Sequence, residues 1–341
     1  MDFAAFQSTF LQRIAAAQFL VEQTNKSSIL VIQQFPTAED TEILLPAVRE
    51  SISNIIAFVE LGDLETLKYV FAHADGTFDA IAMDSDAKHE RSRALIDYVR
   101  GVVTKAKVFY YSDTNVWAES ALTFIQHVEK GLNGKNILIA GTGILVTKLL
   151  NNLSDYGTNL FYLPGQSSSQ HQQLRGASPT GFEKIAGTID DSCDLSGIDL
   201  LIGASIKQVS VDDRIAQRLP RGINIYDMGI GNFSADFIVT ARDREDQVYR
   251  LDNRAGISSM VLSLFETDYL ITKMMGTVCI KDVELVSGGI LGCKGAVIVD
   301  NVYKPTYVIG IADGKGRVNF TPETAKESED LLFVKRLIAA I

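Results

Sequence analysis

The feature that most constrains this chain is a short apolar run that ends in a glycine-rich turn and continues into a helical pattern. The run is Lys135–Ala140, the turn is Gly141-Thr142-Gly143, and Ile144 begins the helical pattern. Glycines remove Cβ atoms where the strand stops, so backbone N–H groups and the positive end of the helix dipole face outward. Such a turn can carry a dinucleotide pyrophosphate, although an ordinary strand-to-helix turn that binds nothing has the same pattern.

The turn departs from Gly-x-Gly-x-x-Gly at its third glycine, where this chain has Val146. That glycine mainly permits close packing of helix and strand, whereas the first two shape the turn and the approach of the phosphates. A large part of the chain precedes the turn. We therefore expect a separate substrate-binding domain in the part of the chain that precedes the turn.

Composition limits the classes of protein that this chain can belong to. It has 341 residues, 46% apolar and 22% charged, which is typical of a folded protein with room for two domains. The net charge of −10 argues against general binding to nucleic acid or to an anionic membrane. No apolar run is long enough to cross a bilayer, and neither the three cysteines nor the histidines have metal-site spacing. We expect a cytoplasmic protein without a metal.

Apolar residues recur at helical spacing near the N-terminus, at Phe3, Phe6, Phe10, Ile14 and Ala17. This pattern predicts an amphipathic helix. We interpret it as a helix that packs on the first domain, and the alternative is a contact between subunits. We expect the protein to be a homo-oligomer.

Strand and helix patterns alternate before the glycine-rich turn, which is typical of parallel βαβ units. The predicted strands are Ile29–Ile32, Asn54–Val59, Phe78–Met83 and Lys107–Tyr111, and the predicted helices are Thr41–Ser51, Leu64–Phe71 and Lys88–Val102. A helix from about Val116 to Lys130, which carries Trp117, is predicted to connect this domain to the next.

The alternation resumes in a second domain. Its predicted strands are Ile137–Ala140, Asn159–Leu163, Lys184–Ala186, Asp199–Gly203 and Ile223–Tyr226, with helices at Ile144–Tyr156, Val211–Leu219 and Ile257–Met275. This order predicts a Rossmann-type, doubly wound parallel sheet. Beyond it, glycine-separated strands and a helix beginning at Thr321-Pro322-Glu323 predict a small β-rich element. The predicted boundaries are 1–115, 116–275 and 276–341.

The loop after the second Rossmann strand bears on the choice of nicotinamide cofactor. Sites for NAD place a carboxylate there, but this chain continues from Pro164 into a segment that contains Ser167, Ser168 and Arg175. Hydroxyls and a guanidinium could donate hydrogen bonds to a 2′-phosphate. The sequence thus predicts NADP, whereas the alternative is a polar loop without a role in binding.

Two more segments follow strands of the second domain and are candidates for cofactor contact. Ala204 and Ser205 follow the fourth strand, where small residues let the backbone approach the cofactor. Asp227 follows the fifth strand. It is predicted to lie near the nicotinamide, either as a catalytic group or as a cap of its own loop.

Candidate catalytic groups lie where the first-domain strands end: Gln33, Gln34, Asp84, Asp86, Lys88 and Asp113. Of these, Lys88, Asp84 and Gln33 form the predicted catalytic set, with Lys88 as proton donor or carbonyl polariser. The alternative is that an aspartate caps the following helix and that Lys88–Arg91 is its solvated first turn.

The order of parts resembles the NAD(P)-dependent methylene-tetrahydromethanopterin and methylene-tetrahydrofolate dehydrogenases, among the amino-acid-dehydrogenase-like Rossmann proteins. The resemblance rests on Ile29-Leu30-Val31 with the segment Glu39–Ser51, on Tyr111-Ser112-Asp113, and on Leu132–Asn136 leading into the glycine-rich turn. It covers roughly residues 29–210. It implies hydride transfer between NADP and a methylene-pterin or folate, hence one-carbon metabolism. The alternatives are a reductase or dehydrogenase of a small amino or oxo acid, and a nucleotide-binding protein without catalysis.

Overall fold

The computed structural model describes residues 3–36, 40, 42–102, 104–164, 185–188, 193–205, 209–229, 231–251, 253–287 and 289–340. The chain divides into two compact units, Met1–Val261 and Leu262–Ile341. Two sheets lie in the first unit and a third lies in the second. No helix of the described ranges is both long and apolar enough to cross a membrane.

The first sheet has the strand order β2-β3-β1-β4-β5, and its pairs are parallel except for β2 with β3. Its strands are β1 (Ser27–Gln34), β2 (Arg49–Glu50), β3 (Asn54–Leu61), β4 (Ala80–Asp84) and β5 (Lys107–Tyr111), and its helices are α1 (Phe3–Thr24), α2 (Leu64–Ala74) and α3 (Ser92–Gly101). The central strands are almost continuously apolar and buried, as expected for a parallel sheet covered on both faces.

The order of these strands creates a switch point. The chain leaves β1 for β3 on one side and later returns across β1 to β4 on its other side. The loops that follow β1 and β4 therefore diverge, and open α/β sheets bind ligands in the crevice left at such a place. The strand-end residues Gln33, Gln34 and Asp84 lie at this crevice.

The N-terminal helix α1 packs on the first sheet through its apolar residues. Phe6, Phe10, Ile14 and Ala17 are buried and belong to the same core cluster as strand residues of β1 and β3. The rings of Phe6 and Phe10 stack with centroids 5.6 Å apart. The interpretation of this segment as a packing helix is confirmed.

Two predictions for the first domain are wrong. The described part of Thr41–Ser51 is not helical, since Leu44 pairs with Glu60 by two backbone hydrogen bonds and β2 then pairs with β3. Pro46 is the physical reason, because proline in a helix interior removes a hydrogen bond and clashes with the preceding turn. The helix predicted from Lys88 begins at Ser92, because Lys88 lies in a loop and points into a buried cluster.

The second sheet is fully parallel and has the order β8-β7-β6-β9-β10-β11. Its strands are β6 (Asn136–Gly141), β7 (Asn159–Pro164), β8 (Ile185–Thr188), β9 (Leu200–Gly203), β10 (Asn224–Asp227) and β11 (Gln247–Arg250), with helices α4 (Asp113–Glu129), α5 (Ile144–Ser154), α6 (Asp213–Arg218) and α7 (Ala235–Asp243). Numbered from β6, this is the 3-2-1-4-5-6 order of the Rossmann fold, so the predicted fold class is confirmed. Sequence patterns missed α7 and β11.

Helix α4 connects the two sheets of the first unit. It follows β5, precedes β6, and packs Ala118, Ala121 and Ile125 into the core of the second sheet. A further helix, α8 (Arg254–Tyr269), approaches α4 closely at Gly256, where a Cβ would lie 2.7 Å from the Ser120 side chain. The predicted helix that carries Trp117 is present between the two sheets, and the predicted domain boundaries stay a prediction.

The second unit contains a mixed five-stranded sheet in the order β12-β13-β14-β15-β16, which confirms the predicted β-rich element. A π-helical turn (Leu270–Met274) precedes β12 (Thr277–Ile280), β13 (Val283–Ser287), β14 (Val297–Val299), β15 (Val308–Ala312), β16 (Val318–Asn319) and α9 (Ala325–Ala339). The predicted helix start at Thr321 is three residues early. Thr324 is the N-cap, because its hydroxyl accepts from the Glu327 N–H while the Glu327 carboxylate accepts from the Thr324 N–H.

Candidate cofactor and substrate sites

Gly143 lies where the glycine-rich turn enters α5, at the carboxyl edge of the second sheet. Its φ of 97° lies in the region that favours glycine, and a Cβ there would meet nothing within 4 Å. Gly143 is the N-cap of α5 and has no side chain to cap it, and no cap from another side chain is seen among the described residues. The first turn of this helix is thus open in the way that a pyrophosphate requires, and the residues present fit a dinucleotide.

Gly141 is required for a different reason, which is close packing within the protein. Its φ is 136°, and a Cβ would lie 2.7 Å from Ser205 Oγ and 2.8 Å from Ser205 N. The end of β6 therefore touches the loop after β9. These two loops border the switch point of the second sheet, where Rossmann proteins bind their cofactor.

A buried hydrogen-bonded network joins the ends of three neighbouring strands. The Thr142 N–H donates to Ser205 Oγ at 3.0 Å, and the Ser205 N–H donates to Asn232 Oδ1 at 2.6 Å. Asn232 Nδ2 then donates to Asp227 Oδ1 at 2.7 Å. Ser205 and Asn232 are 1% and 0% exposed. Sequence reasoning missed Asn232, and nothing beyond its residue type signalled it.

Both carboxylate oxygens of Asp227 are engaged within its own loop. In addition to Asn232, they accept from the Gly229 N–H at 3.2 Å and the Gly231 N–H at 2.9 Å. These contacts match the interpretation of Asp227 as a loop cap. Ala204 is buried beside Ser205, and Ile144 at the start of α5 is exposed. Cofactor contact by these residues stays a prediction.

The residues predicted to select NADP lie outside the part of the chain that the structure describes. They are Ser167, Ser168 and Arg175, which follow the end of β7 at Pro164. Their predicted contact with a 2′-phosphate stays a prediction from sequence.

At the switch point of the first sheet, Lys88 lies between two carboxylates. Its Nζ lies 2.8 Å from Asp84 Oδ2 and 2.7 Å from Asp113 Oδ2, and it donates to the Gln34 carbonyl oxygen at 3.2 Å. An ammonium has three protons, so these three acceptors match its full donor capacity. The interpretation of Lys88 as part of a solvated helical turn is wrong, since its side chain is only 11% exposed.

The glutamines complete this cluster, which we call the lysine cluster (Gln33, Gln34, Asp84, Lys88 and Asp113). Gln33 Nε2 donates to Asp113 Oδ2 at 2.9 Å, and Gln34 Nε2 donates to the Asp84 carbonyl oxygen at 2.8 Å. The structure thus brings together the three residues of the predicted catalytic set. Whether they act in catalysis stays a prediction.

Asp86 belongs to the same region but serves the start of α4. Its Oδ2 accepts from the Thr114 N–H at 2.8 Å and from Thr114 Oγ1 at 2.6 Å. Burial raises the pKa of Asp86, but the hydrogen bonds from Thr114 outweigh it, and the net pKa is lowered. Asp86 therefore caps the start of α4. The alternative interpretation of the sequence, in which an aspartate at this position caps α3, does not apply to Asp86.

Burial and charge act in opposite directions on the lysine cluster. Burial lowers the pKa of Lys88, but attraction to Asp113 and Asp84 outweighs it, so the net pKa is raised and the ammonium stays charged at neutral pH. Burial raises the pKa of Asp84. Attraction to Lys88 lowers this pKa, repulsion from Asp113 raises it further, and the net pKa is raised. The site therefore holds a proton firmly on Lys88 Nζ.

Two acceptor atoms of the lysine cluster are buried without a hydrogen-bond partner among the described residues, Asp113 Oδ1 and Gln34 Oε1. A buried acceptor without a donor raises the free energy of the folded protein by about 1–3 kcal/mol. These two oxygens of the lysine cluster can still accept hydrogen bonds, and an additional donor at either of them would stabilise the cluster.

Helices α4 and α5, which begin beside the two candidate sites, are in contact. Asn115 lies in the first turn of α4, two residues after Asp113, and its Oδ1 accepts from Lys148 Nζ. Lys148 lies five residues after Gly143, about 7.5 Å along the axis of α5. The first turn of α4 is therefore in contact with α5.

The solved structures named below are distant structural likenesses of this chain. No family model and no curated protein match this chain. Glutamate dehydrogenase from Thermus thermophilus aligns at 10% identity and TM-score 0.41, over 72% of this chain and 69% of its own. Ornithine carbamoyltransferase from Burkholderia thailandensis aligns at 10% and 0.42, over 78% and 95%. Aspartate transcarbamoylase from Trypanosoma cruzi aligns at 12% and 0.38, over 70% and 88%. These proteins differ in chemistry, and the resemblance drawn from sequence motifs stays a prediction.

Proposed function

We propose that this protein is a nicotinamide-nucleotide-dependent dehydrogenase or reductase. The observation that carries the proposal is the open Gly143 turn at the switch point of a 3-2-1-4-5-6 sheet. The lysine cluster supports it, because Asn115 and Lys148 bring the start of α4 against α5. A cofactor on the first site and a substrate on the second would then border each other.

In this proposal the two parts of the site have separate roles. The N-terminus of α5 and Gly143 hold the pyrophosphate, and the nicotinamide, when bound, supplies or accepts the hydride. Lys88 stays an ammonium and stabilises the negative charge that develops on a substrate atom. Asp84 and Gln33 orient this machinery, Asp84 by direct contact with Lys88 and Gln33 through Asp113.

For the substrate we propose first a C1 carrier of the methylene-pterin or methylene-folate type, which the resemblance of sequence motifs supports. The second candidate is a small amino or oxo acid. The buried ammonium of Lys88 favours it, because negative charge develops on a carbonyl oxygen during hydride addition and none develops when an iminium carbon is reduced. Rates with methylene-tetrahydrofolate, methylene-tetrahydromethanopterin and a panel of 2-oxo acids with ammonia distinguish the two classes.

For the cofactor we propose NADP, from the serines and Arg175 that follow β7 in place of an acid. A charge-assisted hydrogen bond to the 2′-phosphate contributes about 1.5–3 kcal/mol, or roughly tenfold or more in affinity. Arg175→Ala should weaken NADPH binding by this factor and leave NADH binding nearly unchanged. Calorimetric titration of both cofactors tests this, and equal effects on the two would contradict it.

The general proposal is tested by the absorbance of the reduced nicotinamide during turnover. We expect turnover with one substrate class by the wild type and a loss of about 10²–10³-fold in kcat for the folded fraction of Lys88→Met. Binding of a dinucleotide without turnover of any candidate would indicate a nucleotide-binding protein without catalysis. Absence of dinucleotide binding would overturn the proposal.

A further inference from the structure

The backbone around Ser205 and Asn232 is packed so closely that three neighbouring positions have no room for a Cβ atom. A Cβ on Gly229 would lie 1.7 Å from the Ser205 carbonyl oxygen, and a Cβ on Gly203 would lie 2.6 Å from Asn232 Cβ. Gly141 likewise has no room for a Cβ beside Ser205. Glycines at the ends of three adjacent strands, β6, β9 and β10, therefore all accommodate one serine and one asparagine.

Asn232 connects these strand ends with both ends of its side-chain amide. Its Oδ1 accepts from the Ser205 N–H at 2.6 Å and from Ser210 Oγ at 3.0 Å, while its Nδ2 donates to Asp227. Because the amide is fully buried and engaged at both atoms, its orientation is fixed. It fixes the backbone of Ser205 in turn.

Ser205 passes this constraint to the glycine-rich turn. Its Oγ accepts the Thr142 N–H at 3.0 Å, which lies between the two glycines of the turn. The Thr142 N–H is therefore directed into the protein and away from a ligand. The donors left to a pyrophosphate are those of Gly143 and the first turn of α5, whose N-cap residue, Gly143, has no side chain to occupy them.

We propose that Ser205 and Asn232 are positioning residues for the cofactor pyrophosphate, which they set in place by holding the Thr142 N–H. The inference rests on the proposed function only for the identity of the ligand, a nicotinamide dinucleotide. Neither residue needs to touch the ligand. Their effect is on the phosphate part of the cofactor and not on its adenosine part, because the network ends at the turn.

The test compares Ser205→Ala with Ser210→Ala. Both serines contact Asn232, but only Ser205 holds Thr142. Dissociation constants are measured by calorimetry for NADPH and for adenosine 2′-monophosphate, which lacks the pyrophosphate, together with the melting temperature of each variant. Loss of one hydrogen bond of this kind should weaken NADPH binding about three- to tenfold for Ser205→Ala. Binding of adenosine 2′-monophosphate should change less than about twofold in both variants, and so should NADPH binding in Ser210→Ala.

A second variant, Ser205→Cys, keeps a side-chain atom in place but offers only a weak sulfur acceptor, so it should show the same selective loss. Equal losses for both nucleotides, or equal effects of Ser205→Ala and Ser210→Ala, would overturn the inference. A selective loss in a protein that turns over no substrate would support the inference while defeating the proposed function. A wild type that binds no dinucleotide would overturn both.

Discussion

Lys88 Nζ and Asp113 Oδ2 lie 2.7 Å apart, although 25 residues separate them in the sequence. This contact joins the loop after β4 to the first turn of α4, the helix that leads into the Rossmann sheet. The ion pair therefore links the switch point of the first sheet to the start of the connecting helix. It is part of the fold as well as of the candidate site.

Removal of the Lys88 charge should destabilise the protein strongly. Lys88→Met leaves Asp84, which is fully buried, and Asp113 without their cation, and breaking a buried pair in this way costs about 3–5 kcal/mol. Denaturant unfolding of wild type and variant measures the difference. Lys26→Met is the control, because the Lys26–Glu50 pair is partly exposed and contributes only about 0–1 kcal/mol. Equal midpoints for Lys88→Met and wild type would show that the pair does not stabilise the fold.

The location of this cluster followed from the sequence, but its internal arrangement did not. Gln33, Asp84 and Asp113 each stand where a strand of a parallel sheet ends, and such ends share one edge. That Lys88 is buried depends on acceptors from Gln34, Asp84 and Asp113, which three different segments supply. Local periodicity instead placed Lys88 in a solvated helix.

The other differences between the predictions and the structure have two causes. Some depend on tertiary contacts, and one depends on a proline that the helix prediction did not take into account. The segment 42–51 contains Pro46, which by itself argues against the predicted helix, and its end pairs with the start of β3, the next strand along the chain. Asn232 carries no pattern at all, because its role depends on the approach of Gly203 and Ser205 from another strand. By contrast, the alternation of apolar runs and helices was sufficient to predict the Rossmann sheet.

The two glycines of the phosphate turn should respond differently to substitution by alanine. Gly141→Ala introduces a methyl group 2.8 Å from the Ser205 backbone nitrogen at a φ of 136°, so it should cost about 1–3 kcal/mol or more in stability. Gly143→Ala meets no atom among the described residues, but its φ of 97° and ψ of −171° are values that almost only glycine adopts, so it should cost the backbone strain alone, about 1–3 kcal/mol.

The same Gly143 methyl group would stand where the pyrophosphate approaches, so Gly143→Ala should lose most dinucleotide binding while remaining the more stable of the two variants. Thermal unfolding and fluorescence titration with NADPH measure both properties. If Gly143→Ala bound the dinucleotide as tightly as wild type, this turn would not be the phosphate site.

The capping box of α9 should stabilise the second unit locally. Glu327 is buried, and its carboxylate accepts from the backbone N–H groups of Glu323 and Thr324. Glu327→Ala should therefore cost about 0.5–2 kcal/mol and speed hydrogen exchange in the first turns of α9. The exposed Glu329 on the same helix gives the control, Glu329→Ala, with an effect of less than about 0.5 kcal/mol. Similar exchange rates in the two variants would speak against the cap.

Glu129 at the end of α4 should make the stability of the first unit depend on pH. Its carboxylate accepts from Lys135 Nζ at 2.5 Å, Tyr226 Oη at 2.6 Å and Asn224 Nδ2 at 2.7 Å. Burial raises the pKa of Glu129, but the hydrogen bonds from Lys135, Tyr226 and Asn224 outweigh it, and the net pKa is lowered from 4.5. The ionised form is thus favoured in the folded state.

A carboxyl whose pKa is lower in the folded than in the unfolded state stabilises the fold above its unfolded pKa, and this stabilisation is lost as the pH falls through the folded pKa. Glu129→Gln should therefore cost about 1–3 kcal/mol at pH 7, and the difference from wild type should shrink as the pH falls below about 4.5. Urea unfolding between pH 3 and 7 measures it, with Glu119→Gln on the exposed face of α4 as the control. If the difference in unfolding free energy stayed constant across this range, the charge of Glu129 would contribute nothing to stability, because an effect of packing alone does not depend on pH.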